Sequence, residues 1–219
     1  MSAQMLTAGT PAARAAFGLV LLHGRGAGAR DIIGFGEALA LPELAMIAPE
    51  APGLSWWPTS FLAPTAQMDA YVTAGLEAAE AAVSTLQEQG LPRSRIGVLG
   101  FSQGGCLALE YVARKGAGLG MGAGLSAGLV GVGDTGGDPL PELYGYGDKA
   151  LDYDTDLSGV PIYASCHAAD PHIPHARFTR SATVLEALGA DVHARTKPGQ
   201  GHGIDADDVI ALRQMLNTG

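Results

Sequence analysis

The sequence is poor in cysteine and in long apolar segments, and each scarcity excludes a class of protein. The two cysteines, Cys106 and Cys166, form no CxxC pair, so a disulfide framework is not expected and a reduced compartment fits. We expect both thiols to be buried as small hydrophobic groups. No apolar run approaches the roughly 20 residues that span a bilayer, and residues 1–16 lack the apolar centre of a secretory signal. A cytoplasmic protein without stable membrane insertion is predicted.

Positive charge is also scarce. There are 13 Lys and Arg against 22 Asp and Glu, a net charge of -9, which argues against nucleic acid as a partner. Charged residues make up 16% of the chain and hydrophobic ones 47%, a balance typical of a compact protein rather than a disordered one. At 219 residues, we expect a single domain over residues 1–219.

Short apolar segments typical of buried strands alternate along the chain with longer amphipathic segments typical of helices. The predicted strands are 17–22, 45–48, 96–99, 119–125, 161–166 and 191–196. The predicted helices are 32–41, 66–89, a segment after residue 102, 176–188 and a last helix from 205 to 216. This alternation predicts an α/β fold with a mostly parallel central sheet flanked by helices.

One segment combines a strand, a tight turn and a helix in the order of a nucleophile elbow. Gly100-Phe-Ser-Gln-Gly104 follows the predicted strand 96–99 and precedes a helical pattern, so Ser102 is the candidate nucleophile. A second match, Gly124-Leu-Ser-Ala-Gly128, leads into a glycine-rich stretch that would not sustain a helix. We therefore interpret Ser126 as structural.

A serine needs a base to accept its proton and an acid to orient that base. Of six histidines, His202 lies in a glycine-rich loop between the last strand and the last helix, where its ring can reach across the strand ends. Asp170 follows the preceding strand and is the candidate acid, whereas the aspartates of 205–208 are interpreted as a helix cap and a solvated face. The order Ser, Asp, His is that of α/β-hydrolases.

Two further loops are candidates for the walls of a site. His23-Gly-Arg-Gly-Ala-Gly28 follows the first core strand; a phosphate loop would need a lysine, so an oxyanion loop fits better. Trp56 and Trp57 stand together in a loop rich in proline and glycine. Core packing and a substrate-cleft wall are equal alternatives for them, and two adjacent tryptophans are not expected to face inward together.

Metal binding is a further alternative for the histidines. His167, His172 and His175 with Asp170 could in principle ligate zinc, but prolines at 171 and 174 break any shared helical face, and no metal is expected.

The acidic region 129–159, with Asp138 and a lone lysine, is predicted to be a surface loop. Its Asp-x-Asp-x-Asp run at 152–156 lacks the glycine that an EF-hand requires.

Four blocks in order resemble the phospholipase/carboxylesterase family of small serine hydrolases, which includes the acyl-protein thioesterases. They are Leu21-Leu-His-Gly-Arg-Gly26, Gly100-Phe-Ser-Gln-Gly-Gly105, His167-Ala-Ala-Asp-Pro-His-Ile-Pro174 and Gly199-Gln-Gly-His202. The resemblance covers nearly the whole chain and implies an α/β-hydrolase fold without a large lid, and no cofactor.

The same resemblance implies roles for individual residues. Ser102, Asp170 and His202 would be the catalytic triad, and the backbone N–H groups of Gln103 and Arg25 would form the oxyanion hole. The residues expected to contact substrate are His23, Gly24, Arg25, Trp56 and Trp57. A homodimer is a candidate assembly on the same ground.

The chain departs from the family pattern in ways that bear on the substrate. Arg25 stands where the family usually carries an apolar residue, Ala27 and Gly28 stand where an Asp is usual, and Ala168 replaces a glycine. We hypothesise that Arg25 points into the cleft and favours substrates that bear a carboxylate. An Arg25→Leu variant that ranks acidic and neutral esters as the wild type does would contradict this.

The expected activity is hydrolysis of small carboxylic esters of short to medium acyl chain, because no long apolar channel can be read from the sequence. Thioester or lysophospholipid hydrolysis is the alternative within the family. A lactonase is a further enzyme alternative, although such proteins resemble a cysteine elbow and this chain has Ser102. A non-catalytic binding module on a hydrolase fold is the alternative from another class.

Overall fold

A computed structural model of the chain describes residues 4–134, 141–143, 145 and 147–217. Its strands are β1 (Met5–Gly9), β2 (Phe17–Leu22), β3 (Leu44–Pro49), β4 (Ile96–Phe101), β5 (Met121–Leu125), β6 (Pro161–Ala169) and β7 (Asp191–Gln200). Within the described residues they form one seven-stranded sheet in the order β1-β3-β2-β4-β5-β6-β7. Only β1 runs antiparallel to its neighbour, so the predicted mostly parallel sheet is confirmed.

Helices cover both faces of this sheet. They are α1 (Ala29–Ala38), α2 (Thr65–Glu88), α3 (Gln103–Lys115), α4 (His175–Ala187) and α5 (Ala206–Asn217). Short 3-10 turns lie at Ala12–Arg14, Pro52–Leu54, Arg93–Arg95 and Pro141–Leu143. The described ranges contain no large additional domain, and no helix among them has the length and apolar character needed to cross a membrane.

The continuous apolar run of β2 supplies the core on both sides of the sheet. Successive side chains of a strand point to opposite faces. Val20 and Leu22 therefore pack into the cluster that also holds buried residues of α2, α3 and α4. Leu19 and Leu21 pack into the cluster shared with α1 and α5. Since both faces are covered, the strand is apolar throughout rather than alternating.

The strand order places a crevice at the carboxyl ends of β2 and β4. The chain passes from β2 to β3 on one side and then returns to β4 on the other side of β2. The helices that follow diverge, because α1 packs in one core cluster and α3 in the opposite one. A reversal of this kind is the position where open α/β sheets bind their ligands.

Two elements differ from the sequence prediction. Strand β1 was not predicted, because its short segment has no distinctive pattern and its stability comes from antiparallel pairing with β3. Strand β7 continues to Gln200, four residues beyond the predicted end at 196, and so includes Lys197. The other predicted strands and helices are present, with boundaries that agree to within three residues.

Apart from the 3-10 turn Pro141–Leu143, the described parts of the acidic region 129–159 form neither helix nor strand. Contrary to the prediction, the region is not a surface loop throughout, because residues such as Leu129 and Leu157 are buried and a buried carboxylate anchors it. Glu110 of α3 has no exposed surface and accepts hydrogen bonds from Lys149 Nζ at 3.2 Å, Tyr153 Oη at 2.9 Å and the Val130 N–H at 3.0 Å. The lone lysine of the region is therefore a buried anchor. Asp138 lies outside the described residues.

Candidate active site

Ser102 occupies a strained turn directly after β4 and before α3. Its φ of 53° and ψ of -120° lie where a residue with a side chain is strained. The turn is so tight that only glycine fits beside it: a Cβ on Gly100 would lie 2.1 Å from the Gly104 oxygen, and one on Gly104 would lie 2.1 Å from the Leu22 oxygen. The motif thus has the geometry expected of a nucleophile elbow.

The three residues predicted to act together meet at the carboxyl ends of β4, β6 and β7. His202 Nε2 lies 2.8 Å from Ser102 Oγ, and His202 Nδ1 lies 2.8 Å and 3.0 Å from the two carboxylate oxygens of Asp170. An ionised carboxylate only accepts hydrogen bonds, so the Nδ1–H donates to Asp170. That tautomer leaves Nε2 free to accept the serine proton.

Asp170 is held in its charged form. Its side chain has no exposed surface, and its Oδ1 accepts hydrogen bonds from the N–H of His172 at 2.8 Å and of Ile173 at 3.0 Å. Burial by itself raises the pKa of this carboxyl, but the hydrogen bonds from His202 and from the two backbone groups outweigh it and lower the pKa below its usual value. Asp170 is therefore ionised at neutral pH.

Both cysteines lie near the site and are buried, as predicted. Cys106 lines the cleft, and Cys166 Sγ lies 3.7 Å from Asp170 Oδ2. Burial raises the pKa of Cys106 to about 12, and burial together with the Asp170 charge raises the pKa of Cys166 to about 12. Since the thiolate is the nucleophilic form, neither thiol competes with Ser102 at neutral pH.

The two candidate oxyanion donors lie on loops at the same strand ends. Gln103 is the first residue of α3, where a backbone N–H has no partner within its own helix. Arg25 belongs to the loop after β2, and both residues line the cleft beside Ser102. Among the described residues no acceptor takes either of these N–H groups.

The side chain of Gln103 has a role that the motif did not indicate. It is buried, its Nε2 donates to the Trp57 carbonyl at 2.8 Å, and its Oε1 accepts the Trp56 N–H at 2.9 Å. Ser55 Oγ also lies 3.3 Å from this amide. One residue of the elbow therefore fixes the tryptophan loop against the start of α3.

The expectation that both tryptophans could not face inward is wrong. Trp56 is 5% exposed and Trp57 1% exposed, because the loop directs them to neighbouring parts of one core cluster. Trp57 also borders the cleft beside Ser102, whereas Trp56 lines another cavity, of about 560 Å³, against α2.

The predicted substrate contacts of His23 and Trp56 are corrected by their burial. His23 has no exposed surface: its Nδ1 donates to the Gly24 carbonyl at 2.8 Å and its Nε2 accepts the Ala51 N–H at 3.1 Å. Trp56 Nε1 donates to the His23 carbonyl at 2.9 Å. Both side chains support the loop after β2 from behind and do not line the cleft.

The cleft itself has a volume of about 710 Å³, and its described lining includes one cationic side chain, that of Arg25. Gly24 and Arg25 border it, and the His172 ring stands edge-on to His202 with 4.8 Å between centroids. No aspartate or glutamate is among the described residues that line it. Arg25 is exposed, and its guanidinium donates to the carbonyl oxygens of Pro58, at 3.1 Å, and of Thr59.

The three aspartates at the start of α5, which were the alternatives to Asp170 as the acid, have different surroundings. Asp205 caps the helix as predicted, since its Oδ1 accepts the Asp208 N–H at 3.0 Å and its own N–H donates to Asp208 Oδ2 at 3.0 Å. Asp207 is 69% exposed. Asp208 was expected on a solvated face but is fully buried beside Lys197, which approaches from β7.

The alternative zinc site is not assembled in the described part of the chain. Within it, no three or more His, Cys, Asp or Glu side chains are grouped so that they could hold a metal ion. His175 instead contacts Thr196 Oγ1 at 2.9 Å, and Asp170 is engaged with His202. These histidines therefore form no metal-ligand set.

Comparisons with known proteins point to one family. The sequence model of the Phospholipase/Carboxylesterase family matches residues 7–135. A crystal structure of a phospholipase/carboxylesterase from Dyadobacter fermentans DSM 18053 is 34% identical, covers 99% of this chain and 97% of its own, and superposes with a TM-score of 0.87. No curated protein sequence matches the chain.

More distant solved structures share the fold. A carboxylesterase from Mesorhizobium loti is 22% identical over 100% of both chains, with a TM-score of 0.70. SOBER1 from Arabidopsis thaliana is 18% identical, covers 92% of this chain and 98% of its own, and has a TM-score of 0.69. At such identities the similarity shows a shared fold and nothing further.

Proposed function

This chain belongs to the phospholipase/carboxylesterase family and is a carboxylesterase or a related hydrolase, and we propose that it cleaves carboxylic esters of short to medium acyl chain. The observation that carries the proposal is the continuous hydrogen-bonded line Ser102–His202–Asp170, with 2.8 Å at each link. Serine, histidine and aspartate in this relation form the apparatus of acyl transfer.

In the first half-reaction Ser102 Oγ attacks the ester carbonyl and forms the tetrahedral intermediate. His202 Nε2 accepts the hydroxyl proton as the bond forms and then passes it to the departing alkoxide. Asp170 holds the ring in the required tautomer and stabilises the imidazolium. The lowered pKa of Asp170 supports this role, because the carboxylate stays charged throughout.

The developing oxyanion would be held by the backbone N–H groups of Gln103 and Arg25. Their freedom from acceptors among the described residues supports this assignment. The positive end of α3 favours negative charge at the same position. Each such donor contributes about 3 kcal/mol to the transition state in comparable enzymes. Water activated by His202 then attacks the acyl-enzyme and releases the acid, which restores Ser102.

The cleft supports a small substrate. Its volume of about 710 Å³ is in the range of sites for small organic molecules, and its lining mixes aromatic side chains with the cationic Arg25. Two carbonyl groups take N–H donors of Arg25, and the remaining donors of the guanidinium are available to a substrate carboxylate. We retain the proposal that Arg25 favours acidic esters.

The test is hydrolysis of p-nitrophenyl acetate, butyrate, octanoate and a hemisuccinate ester by the wild type, Ser102→Ala and Arg25→Leu. We expect the wild type to prefer acetate and butyrate. Ser102→Ala should lose at least about 10³-fold in kcat, because the nucleophile is absent. Arg25→Leu should lose its relative preference for the hemisuccinate ester while it retains activity on acetate.

Each outcome bears on a separate part of the proposal. Highest activity on octanoate would favour lipid or thioester hydrolysis instead. A folded wild type without activity on all four esters would favour a binding module. An unchanged ester ranking in Arg25→Leu would remove the acidic-substrate proposal and leave the nucleophile assignment untouched.

A further inference from the structure

The residue after His202 is held by two buried side chains that play no part in the chemistry described so far. The carbonyl oxygen of Gly203 accepts a hydrogen bond from Lys197 Nζ and another from Ser126 Oγ, the latter at 3.3 Å. Lys197 is 1% exposed and Ser126 has no exposed surface. Residues 201–203 form neither helix nor strand, so these contacts fix the backbone beside the base.

Lys197 is itself anchored to the start of α5. Its ammonium lies 2.9 Å from Asp208 Oδ2, and Asp208 is fully buried. Asp208 is fixed in turn by the Tyr163 hydroxyl at 2.8 Å and by Arg195 Nη1 at 3.2 Å. A buried ion pair is costly to desolvate and is not in itself a source of stability, so its presence under a functional loop calls for another explanation.

The proposed reaction explains why the loop that carries His202 would need to be held in place. His202 is oriented through its ring by Ser102 and Asp170, and the hydrogen bond to Ser102 is lost when the acyl-enzyme forms. Asp170 and the backbone of the loop must then keep the ring in place until water arrives. A displacement of 1 Å at a reacting group can lower the rate by about 10². We propose that Lys197 and Ser126 are positioning residues that hold His202 through the Gly203 carbonyl.

This proposal gives a role to Ser126, the serine of the second Gly-x-Ser-x-Gly match. Ser126 follows β5 with a φ of 48°, and its N–H donates to the Ser165 carbonyl at 2.7 Å. The turn directs its hydroxyl under the loop of the base rather than into the cleft. The side chain acts as a donor to the backbone and not as a nucleophile.

The inference rests on the proposed function, and the experiment is chosen so that the two can fail separately. The variants are Lys197→Met, Ser126→Ala and their combination, with Arg195→Met as the matched control. Arg195 contacts the same Asp208 but does not contact Gly203. Two rates are measured: turnover of p-nitrophenyl butyrate and covalent labelling of Ser102 by a fluorophosphonate. Labelling requires an activated serine but does not depend on which ester the enzyme prefers.

We expect Lys197→Met to lower kcat and the labelling rate about 10- to 100-fold with KM within about twofold, because the base is displaced while the cleft is unchanged. Ser126→Ala should lower both rates about threefold to tenfold. Because both donors act on one carbonyl, the loss in the combined variant should differ from the product of the single losses. Arg195→Met should lower the melting temperature and leave kcat within about twofold.

Several results would overturn the proposal. A folded Lys197→Met with wild-type kcat and labelling would do so, as would an equal loss of kcat in Arg195→Met or a change confined to KM. If Lys197→Met does not fold, Ser126→Ala decides alone, and an unchanged labelling rate in that variant refutes the assignment. A wild type that is labelled but cleaves no ester refutes the proposed ester activity while the labelling comparison still tests positioning.

Discussion

Two turns with the same sequence pattern stand side by side at the carboxyl edge of the sheet. Ser102 follows β4 and Ser126 follows β5, and the last residues of these strands, Phe101 and Leu125, are register partners. Both serines have positive φ, 53° and 48°. Each N–H donates to the next strand, from Ser102 to Leu125 and from Ser126 to Ser165. The pattern therefore specifies a backbone turn in both places.

The surroundings distinguish the two. The Ser102 hydroxyl is half-buried at the cleft and meets His202, whereas Ser126 is sealed beneath the loop of the base. The glycines differ as well. A Cβ on Gly104 would meet the Leu22 backbone at 2.1 Å, whereas one on Gly128, the matching glycine of the second turn, would first meet the Arg177 side chain at 3.0 Å. At these two glycines, the backbone of another segment comes close only at Gly104, in the first turn.

The largest expected contrast between the turns is in covalent labelling. A fluorophosphonate should modify the wild type and Ser126→Ala, and it should leave Ser102→Ala unmodified, because only Ser102 has a base at 2.8 Å. Intact-mass spectrometry measures the added group, and peptide mapping assigns it. Modification of Ser102→Ala at residue 126 would show that the second turn also supplies a nucleophile.

The sequence predicted the first turn better than the second because its signals were local. A strand before Ser102, a helix after it, and loops at the ends of later strands are all readable along the chain, and they indicated Asp170 and His202 as well. The burial of Asp208 was not readable, since adjacent acidic residues at a helix start are typical of a solvated face. Its partner Lys197 comes from β7, and only the packing of α5 against that strand joins them.

The same limit explains the other errors. Strand β1 forms because it pairs with the edge of β3, and the short segment Met5–Gly9 contains no pattern that predicts this pairing. Trp56 and Trp57 are both buried because the Gln103 side chain fixes their loop. Each of these missed features depends on a partner distant in sequence, whereas the signals that indicated Ser102, Asp170 and His202 lie within a few residues of each.

A smaller contrast is expected when alanine replaces the second glycine of each turn. Gly104→Ala should destabilise the protein by more than about 3 kcal/mol, because the new Cβ would meet backbone atoms of Leu22 and His23, which cannot yield. Gly128→Ala should cost less, about 1 kcal/mol, since its first contact is a side-chain atom, Arg177 Cγ at 3.0 Å, which must move by only a few tenths of an ångström. Urea unfolding followed by fluorescence gives both values. Equal losses would show that the two turns are packed alike and would remove this part of the comparison.

The smallest expected effect separates strain from catalysis. A residue with a side chain at the φ and ψ of Ser102 is strained by about 1–3 kcal/mol, whereas glycine adopts positive φ freely but loses about 0.5–1 kcal/mol through its more flexible unfolded chain. Ser102→Gly should therefore be about 1 kcal/mol more stable than Ser102→Ala in urea unfolding. The pair Ser126→Gly and Ser126→Ala is the matched control, because both variants lack the hydroxyl and differ, as the pair at residue 102 does, in the Cβ methyl group and in backbone freedom. A glycine advantage at both positions would assign the strain to the shared turn, whereas an advantage at residue 102 alone would assign it to the nucleophile.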